Sequence, residues 1–164
     1  MTSTYSQATT ITNDFAFPPQ YNFPPFFTLQ PNLTTRASQF SSWSHLIQSY
    51  CRYHRLFSLS LIDALSSPLF NNKTLGRQLS LPDATAIVKW MCSSEGGSRA
   101  EWVDKKKVAG SEEGGGKFWV YWRRPEEWAS LIEGWVEETG QKGSVLTLYE
   151  ITDGDGTMKE GMWH

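Results

Sequence analysis

The sequence predicts an α+β protein behind an extended N-terminal arm. Two observations carry that expectation. Five of the eight prolines lie at or before Pro31, so the composition changes there and a folded region begins. Beyond it, apolar residues recur at helical spacing in several places, and short alternating or aromatic runs between them read as strands.

Residues 1–16 are rich in Ser, Thr, Gln and Asn and are expected to form a disordered tail. The arm, residues 17–32, follows. It holds one pattern twice, Phe-Pro-Pro-x-aromatic, at Phe17-Pro18-Pro19-Gln20-Tyr21 and Phe23-Pro24-Pro25-Phe26-Phe27. Each proline fixes its own φ and pushes the preceding residue toward extended geometry. A polyproline-II helix at about three residues per turn would keep the two copies in register. Pro18, Tyr21, Pro24 and Phe27 would line one edge, and Phe17, Phe23 and Phe26 the next. A stiff apolar segment of this kind suits a groove on another protein, because it loses little entropy on docking.

A helix is expected from Thr34 or Thr35, with Phe40, Trp43, Ile47, Tyr50 and His54 on one face. Phe57, Leu59 and Leu61 alternate with Ser58 and Ser60, as in a strand. Asn71-Asn72 reads as a cap before a short helix carrying Leu75 and Leu79. Ser80 and Pro82 open another helix, about 81–94, with Ala84, Ile87, Val88 and Met91 inward and Gly96-Gly97 ending it. Strands at Glu101–Asp104 and Phe118–Trp122 flank a polar loop from Lys105 to Lys117. This order of helices closed by a two-stranded wing is that of a winged helix, placed at 33–124.

A second unit, 125–164, starts at Pro125 with Glu126 and Glu127 in the first turn. Trp128, Leu131, Ile132, Trp135 and Val136 lie on one helical face, and Gly140 ends it. Val145–Ile151 reads as a strand and Asp153-Gly154-Asp155-Gly156 as a turn. The second unit repeats helix-then-strand and is expected to be C-terminally truncated, with half a core to cover Trp128 and Trp135.

Net charge is −2, a poor basis for binding nucleic acid. The helix at 81–94 carries only Lys89 as a base, and Lys105-Lys106-Lys107 is followed by Glu112-Glu113, so a DNA-binding winged helix is the weaker alternative. No apolar run is long enough to span a membrane, and no signal peptide is visible. Two cysteines suggest a reduced, cytoplasmic protein.

Four stretches carry a resemblance: FPPFFTLQPN at 23–32, SPLFNN at 67–72, WRRPEEW at 122–128 and SVLTLYE at 144–150. Together they make the chain similar to the small winged-helix subunit of ESCRT-II, the vacuolar protein-sorting-associated protein 25 family. The resemblance implies tandem winged helices and a structural adaptor without catalysis or cofactor. It implies two copies joining two larger winged-helix subunits in a Y-shaped complex, cytoplasmic and recruited to endosomes, that sorts ubiquitinated membrane proteins to multivesicular bodies. Membrane contact would be indirect, through the complex. By motif, Pro18, Pro19, Tyr21, Pro24, Pro25, Phe26 and Phe27 would contact those larger subunits. The family engages ESCRT-III through the later part of its second winged helix, so the expected truncation gives no ground for assuming that this chain recruits an ESCRT-III subunit. The binding energy should then concentrate on Tyr21 and Phe27. Replacing either with Ala would cost about 2 kcal/mol or more of binding and leave the fold unchanged.

Other features have plainer readings. Pro18-Pro19-Gln20-Tyr21 is also a Pro-Pro-x-Tyr ligand for a WW domain, which would ignore the second copy. Cys51 and His54, with Cys92 and His45 elsewhere, fall short of a zinc set, and no metal is expected. Nor does a third group mark Cys51 and His54 as a nucleophilic pair. Gly114-Gly115-Gly116 lacks the context of a phosphate loop and reads as a wing tip. Trp122, Arg123, Arg124 and Trp128 are a possible interface, though an ion-pair cluster at the helix start is the simpler reading.

Overall fold

A computed structural model describes residues 15–103 and 116–154. The expected tail up to residue 14, the wing loop from Asp104 to Gly115 and the turn beyond Gly154 lie outside the described residues.

The first helix, α1 (Leu33–His54), is capped by Asn32, whose side chain accepts from the Thr35 backbone N–H at 3.0 Å. The cap therefore lies two residues before Thr34. The helix closes at Arg55, which adopts φ 53° and lets the Leu56 N–H return to the Cys51 carbonyl at 2.8 Å. Trp43, Ile47 and Cys51 on its inner face are fully buried.

Strand β1 (Ser58–Ser60) is shorter than its alternating pattern suggests. The chain turns at Ser60 into a six-residue helix, α2 (Leu61–Ser66), which buries Leu61 and Ala64. The expected helix after Asn71 is a hairpin instead, β2 (Asn71–Asn72) paired with β3 (Arg77–Gln78). Asn72 does make a cap-like bond, its Oδ1 accepting from the Leu75 N–H at 3.1 Å. Gly76, at φ 61°, then reverses the chain.

Helix α3 (Leu81–Cys92) begins as expected: the Ser80 hydroxyl accepts from the Asp83 N–H at 3.2 Å, and Pro82 sits in the first turn. It buries Ala84, Ile87, Val88 and Met91. Strands β4 (Ala100–Trp102) and β5 (Lys117–Val120) complete a three-stranded antiparallel sheet in the order β1-β5-β4. Phe118 faces Leu59 and Trp102 across it and is fully buried.

Helix α4 (Pro125–Glu138) follows, then a short helix α5 (Leu148–Thr152) where a strand was expected. The reason is local. Thr147 and Glu150 form a reciprocal capping box, with Glu150 accepting from the Thr147 N–H at 2.7 Å and Thr147 from the Glu150 N–H at 3.3 Å. Trp135 is buried, but its indole N–H meets no acceptor. Val145, Leu148 and Tyr149 are exposed.

The arm is neither a polyproline helix nor a free strand. It forms two single 3-10 turns, Pro19–Asn22 and Pro24–Phe27, folded onto α1 and the β2–β3 hairpin. Buried Gln39 on α1 holds it from below, donating to the carbonyls of Pro25 (3.2 Å) and Thr28 (3.0 Å) and accepting from the Gln30 N–H (2.9 Å). Gln39→Ala would remove all three bonds, leaving the Pro25 and Thr28 carbonyls to solvent and to the Gln30 side chain, which donates to them at 3.4 and 2.9 Å. The substitution is expected to lower the free energy of unfolding by about 2 kcal/mol in urea titration.

Candidate functional site

The arm that motif reading assigned to a partner is divided by its packing into an inner and an outer side. Tyr21, Phe26 and Phe27 point into the chain's own core, with Phe27 2 % exposed. Phe26 stacks on Trp43 at 4.2 Å between ring centroids, and Phe27 meets the same indole edge-on at 5.5 Å. Trp43 also donates its indole N–H to the Phe26 carbonyl at 3.1 Å.

Tyr21 stacks on Phe17 at 3.9 Å and touches Phe27 edge-on at 5.5 Å. Its hydroxyl donates to the Pro68 carbonyl, with the Asn71 carbonyl 3.4 Å away. Burial raises the phenol above its ordinary range, with the Tyr50 phenol adding to the shift. Asn72 Nδ2 donates to the Tyr21 carbonyl at 2.8 Å, and the Leu29 N–H donates to Asp83 at 3.2 Å. Phe15, expected in the tail, packs edge-on against Phe17, Tyr50 and Tyr53.

The outer side is different in kind. Pro19, Gln20, Phe23, Pro24 and Pro25 are exposed, Phe23 by 60 %, and Pro18 is half-buried. The result is an apolar ridge whose backbone is already fixed from beneath. A WW domain could take Pro-Pro-x-Tyr only by drawing Tyr21 out of the core. Gln39, Asn72 and Asp83 were not anticipated as holders of the arm. A polar residue on the inner face of α1, as Gln39 is, was the available signal.

The second cluster forms where β5 leads into α4. Trp122 is buried between Phe57 (5.5 Å) and Trp128 (5.2 Å), and its indole N–H donates to the Leu56 carbonyl at 3.0 Å. Arg123 lies over the Trp128 ring at 4.9 Å. The Glu127 carboxylate accepts from the Arg124 N–H at 2.7 Å and pairs with Arg124 (3.7 Å) and Arg99 (3.4 Å). The structure thus joins all four residues named here from sequence, and adds Arg99, Glu127, Leu56 and Phe57.

Elsewhere, burial pushes the Cys51 thiol up to about 12, so it stays protonated inside the core. His45 is exposed, and His54 lies among the rings of Phe15, Tyr50 and Tyr53. No metal-binding group of three or more His, Cys, Asp or Glu occurs among the described residues. None of the described helices is long and apolar enough to cross a membrane.

Helices closed by a three-stranded antiparallel sheet are the architecture of a winged-helix protein, here with an apolar ridge on its arm. The sequence matches the family described as ESCRT-II complex subunit over residues 20–164. It is 44% identical over 146 residues to vacuolar protein-sorting-associated protein 25 of Xenopus laevis and 46% to that of Danio rerio. Each alignment covers 89% of this chain and 78% of the relative. A crystal structure of the endosomal complex ESCRT-II (VPS22/VPS25/VPS36) contains a chain that superposes with TM-score 0.70 at 32% identity, covering 90% of this chain and 80% of that one. This chain belongs to the ESCRT-II subunit family, and as such is a component of an endosomal trafficking complex, not an enzyme.

The burial of Tyr21 and Phe27 overturns the expectation that their loss would leave the fold unchanged. Phe27→Ala is expected to cost about 3–5 kcal/mol of stability, and Tyr21→Phe about 1 kcal/mol for the lost hydroxyl bond; denaturant midpoints measure both. Glu127 gives a pH signature. The Arg124 N–H, then Arg99 and Arg124, hold its carboxyl below the usual carboxylate range. Its stabilising contribution is therefore complete above the unfolded pKa and is lost as pH falls through the lower folded value. The stability difference between the parent and Glu127→Gln should be present at neutral pH and shrink on acidification, read by urea titration across pH.

Proposed function

We propose that this chain joins counterparts of VPS22 and VPS36 into an ESCRT-II complex, using the exposed ridge of its arm as the contact. Pro18, Pro19, Phe23, Pro24 and Pro25 face the partner, while Tyr21, Phe26 and Phe27 hold them in place from the core side. The carrying observation is the fixed, solvent-facing Phe23-Pro24-Pro25 edge. A ridge of this kind loses little conformational entropy on docking, and an aromatic ring among prolines provides a compact anchor for an apolar pocket.

In the cell the complex acts at the endosome, sorting ubiquitinated membrane proteins toward multivesicular bodies. The chain reaches the membrane through its larger partners. Its elements divide at Arg124/Pro125 into a winged helix and a second, smaller unit.

Co-expression with the VPS22 and VPS36 counterparts, followed by size-exclusion chromatography, tests this. The parent chain should co-elute with both. Phe23→Asp should be lost from the complex while keeping the parent's denaturant midpoint, because Phe23 is outside the core. A parent that elutes alone sinks the assembly reading; co-elution of Phe23→Asp at the parent's level sinks the ridge as the contact.

A further inference from the structure

We propose that Arg99 and Trp122 form a rigid joint that fixes α4 at one angle to the three-stranded sheet, so that the arm and the C-terminal helices are presented as a single body. The proposal stands on geometry within this chain, whichever partner is bound.

Arg99 is placed by a constrained turn. After α3 the chain passes through Gly97 at φ 75° and Ser98 at φ 52°. A Cβ at Gly96 would lie 2.1 Å from the Trp90 carbonyl oxygen, so this close approach requires glycine. The Arg99 N–H then bonds the Met91 carbonyl at 2.8 Å. From there its guanidinium donates both to the Tyr121 carbonyl, 3.2 Å away, and to Glu127, 3.4 Å away. Backbone pairing doubles the link: the Tyr121 N–H donates to the Arg99 carbonyl at 2.7 Å. One side chain thus grips the segment leaving the sheet and the first turn of the helix that follows.

Trp122 grips from the other side. Its indole N–H reaches the Leu56 carbonyl just after α1, while its ring lies between Phe57 and Trp128. The two contacts meet α4 on successive residues at its start, Glu127 and Trp128, which point about 100° apart around the helix axis and so restrain both its rotation and its tilt there. The linker is also short, since Val120 ends β5 and Pro125 begins α4. The far side of Trp122 is less filled: Arg55, Phe57, Trp122 and Thr152 line a cleft of about 240 Å³. If the pins are cut, motion has room in that direction.

Spin labels at Lys73→Cys and Glu133→Cys, both exposed, in a Cys92→Ser background with Cys51 buried, report the angle by electron–electron distance measurement. The parent should give one narrow distribution. Arg99→Gln and Trp122→Phe should each broaden it, and Glu127→Gln should broaden it less, while amide exchange in α1 keeps the parent's protection. A broad distribution in the parent overturns the joint. So do distributions in Arg99→Gln and Trp122→Phe as narrow as the parent's. Loss of α1 protection in all three variants also overturns it, because the two residues would then be ordinary parts of the core.

Discussion

The contact of Phe26 and Phe27 with Trp43 is the constraint on which the rest of the molecule depends. Trp43 is fully buried, stacks on one arm ring, meets the other edge-on, and donates to the arm backbone. It also touches Phe70 at 5.6 Å, at the start of the hairpin. Because one indole serves α1, the arm and the hairpin, the arm acts as a wall of the domain. The prolines then take on a different role. They bend the chain into two tight turns, which bring Tyr21, Phe26 and Phe27 inward and leave Phe23 and the rings of Pro19, Pro24 and Pro25 outside.

The polar residues beneath the arm follow from the same arrangement. A segment with four prolines among ten residues cannot satisfy its carbonyls through a regular ladder. Gln39 and Asn72 donate to those carbonyls, and Asp83 accepts from the Leu29 N–H, each from a different element. The Asn72 and Asp83 contacts are not interchangeable with apolar packing, since their removal takes the partner from a backbone group of buried Tyr21 or Leu29.

Helix periodicity was legible where a long face persists, as in α1, α3 and α4, and so were the strand pair of the wing and the family motifs. Errors arose where local signals compete. Leu61 continues an alternating strand pattern, yet Ser60 caps a helix there. Asn72 resembles a helix cap, and its side chain makes that bond, but Gly76 turns the chain back. Val145–Ile151 is β-branched and aromatic, yet Thr147 and Glu150 form a box that could have been read from their spacing. The candidate site was legible by position and not by direction. The repeat located the arm, but nothing in a Pro-Pro-x-aromatic pattern says which rings face inward; the partners that decide this, Trp43, Asn72 and Asp83, lie far along the chain.

That separation has a consequence for synthesis. Tyr21 waits for a side chain 51 residues further on, and the Leu29 amide for one 54 residues on. During translation the arm can meet Trp43 and Gln39 once α1 has emerged, but it lacks its bonds to the hairpin and to α3 until Asn72 and Asp83 follow. Non-local closure of this kind slows folding and leaves sticky surface uncovered meanwhile. The nascent chain is most exposed to chaperone capture, or to self-association on crowded polysomes, over the interval between its first proline pair and Asp83.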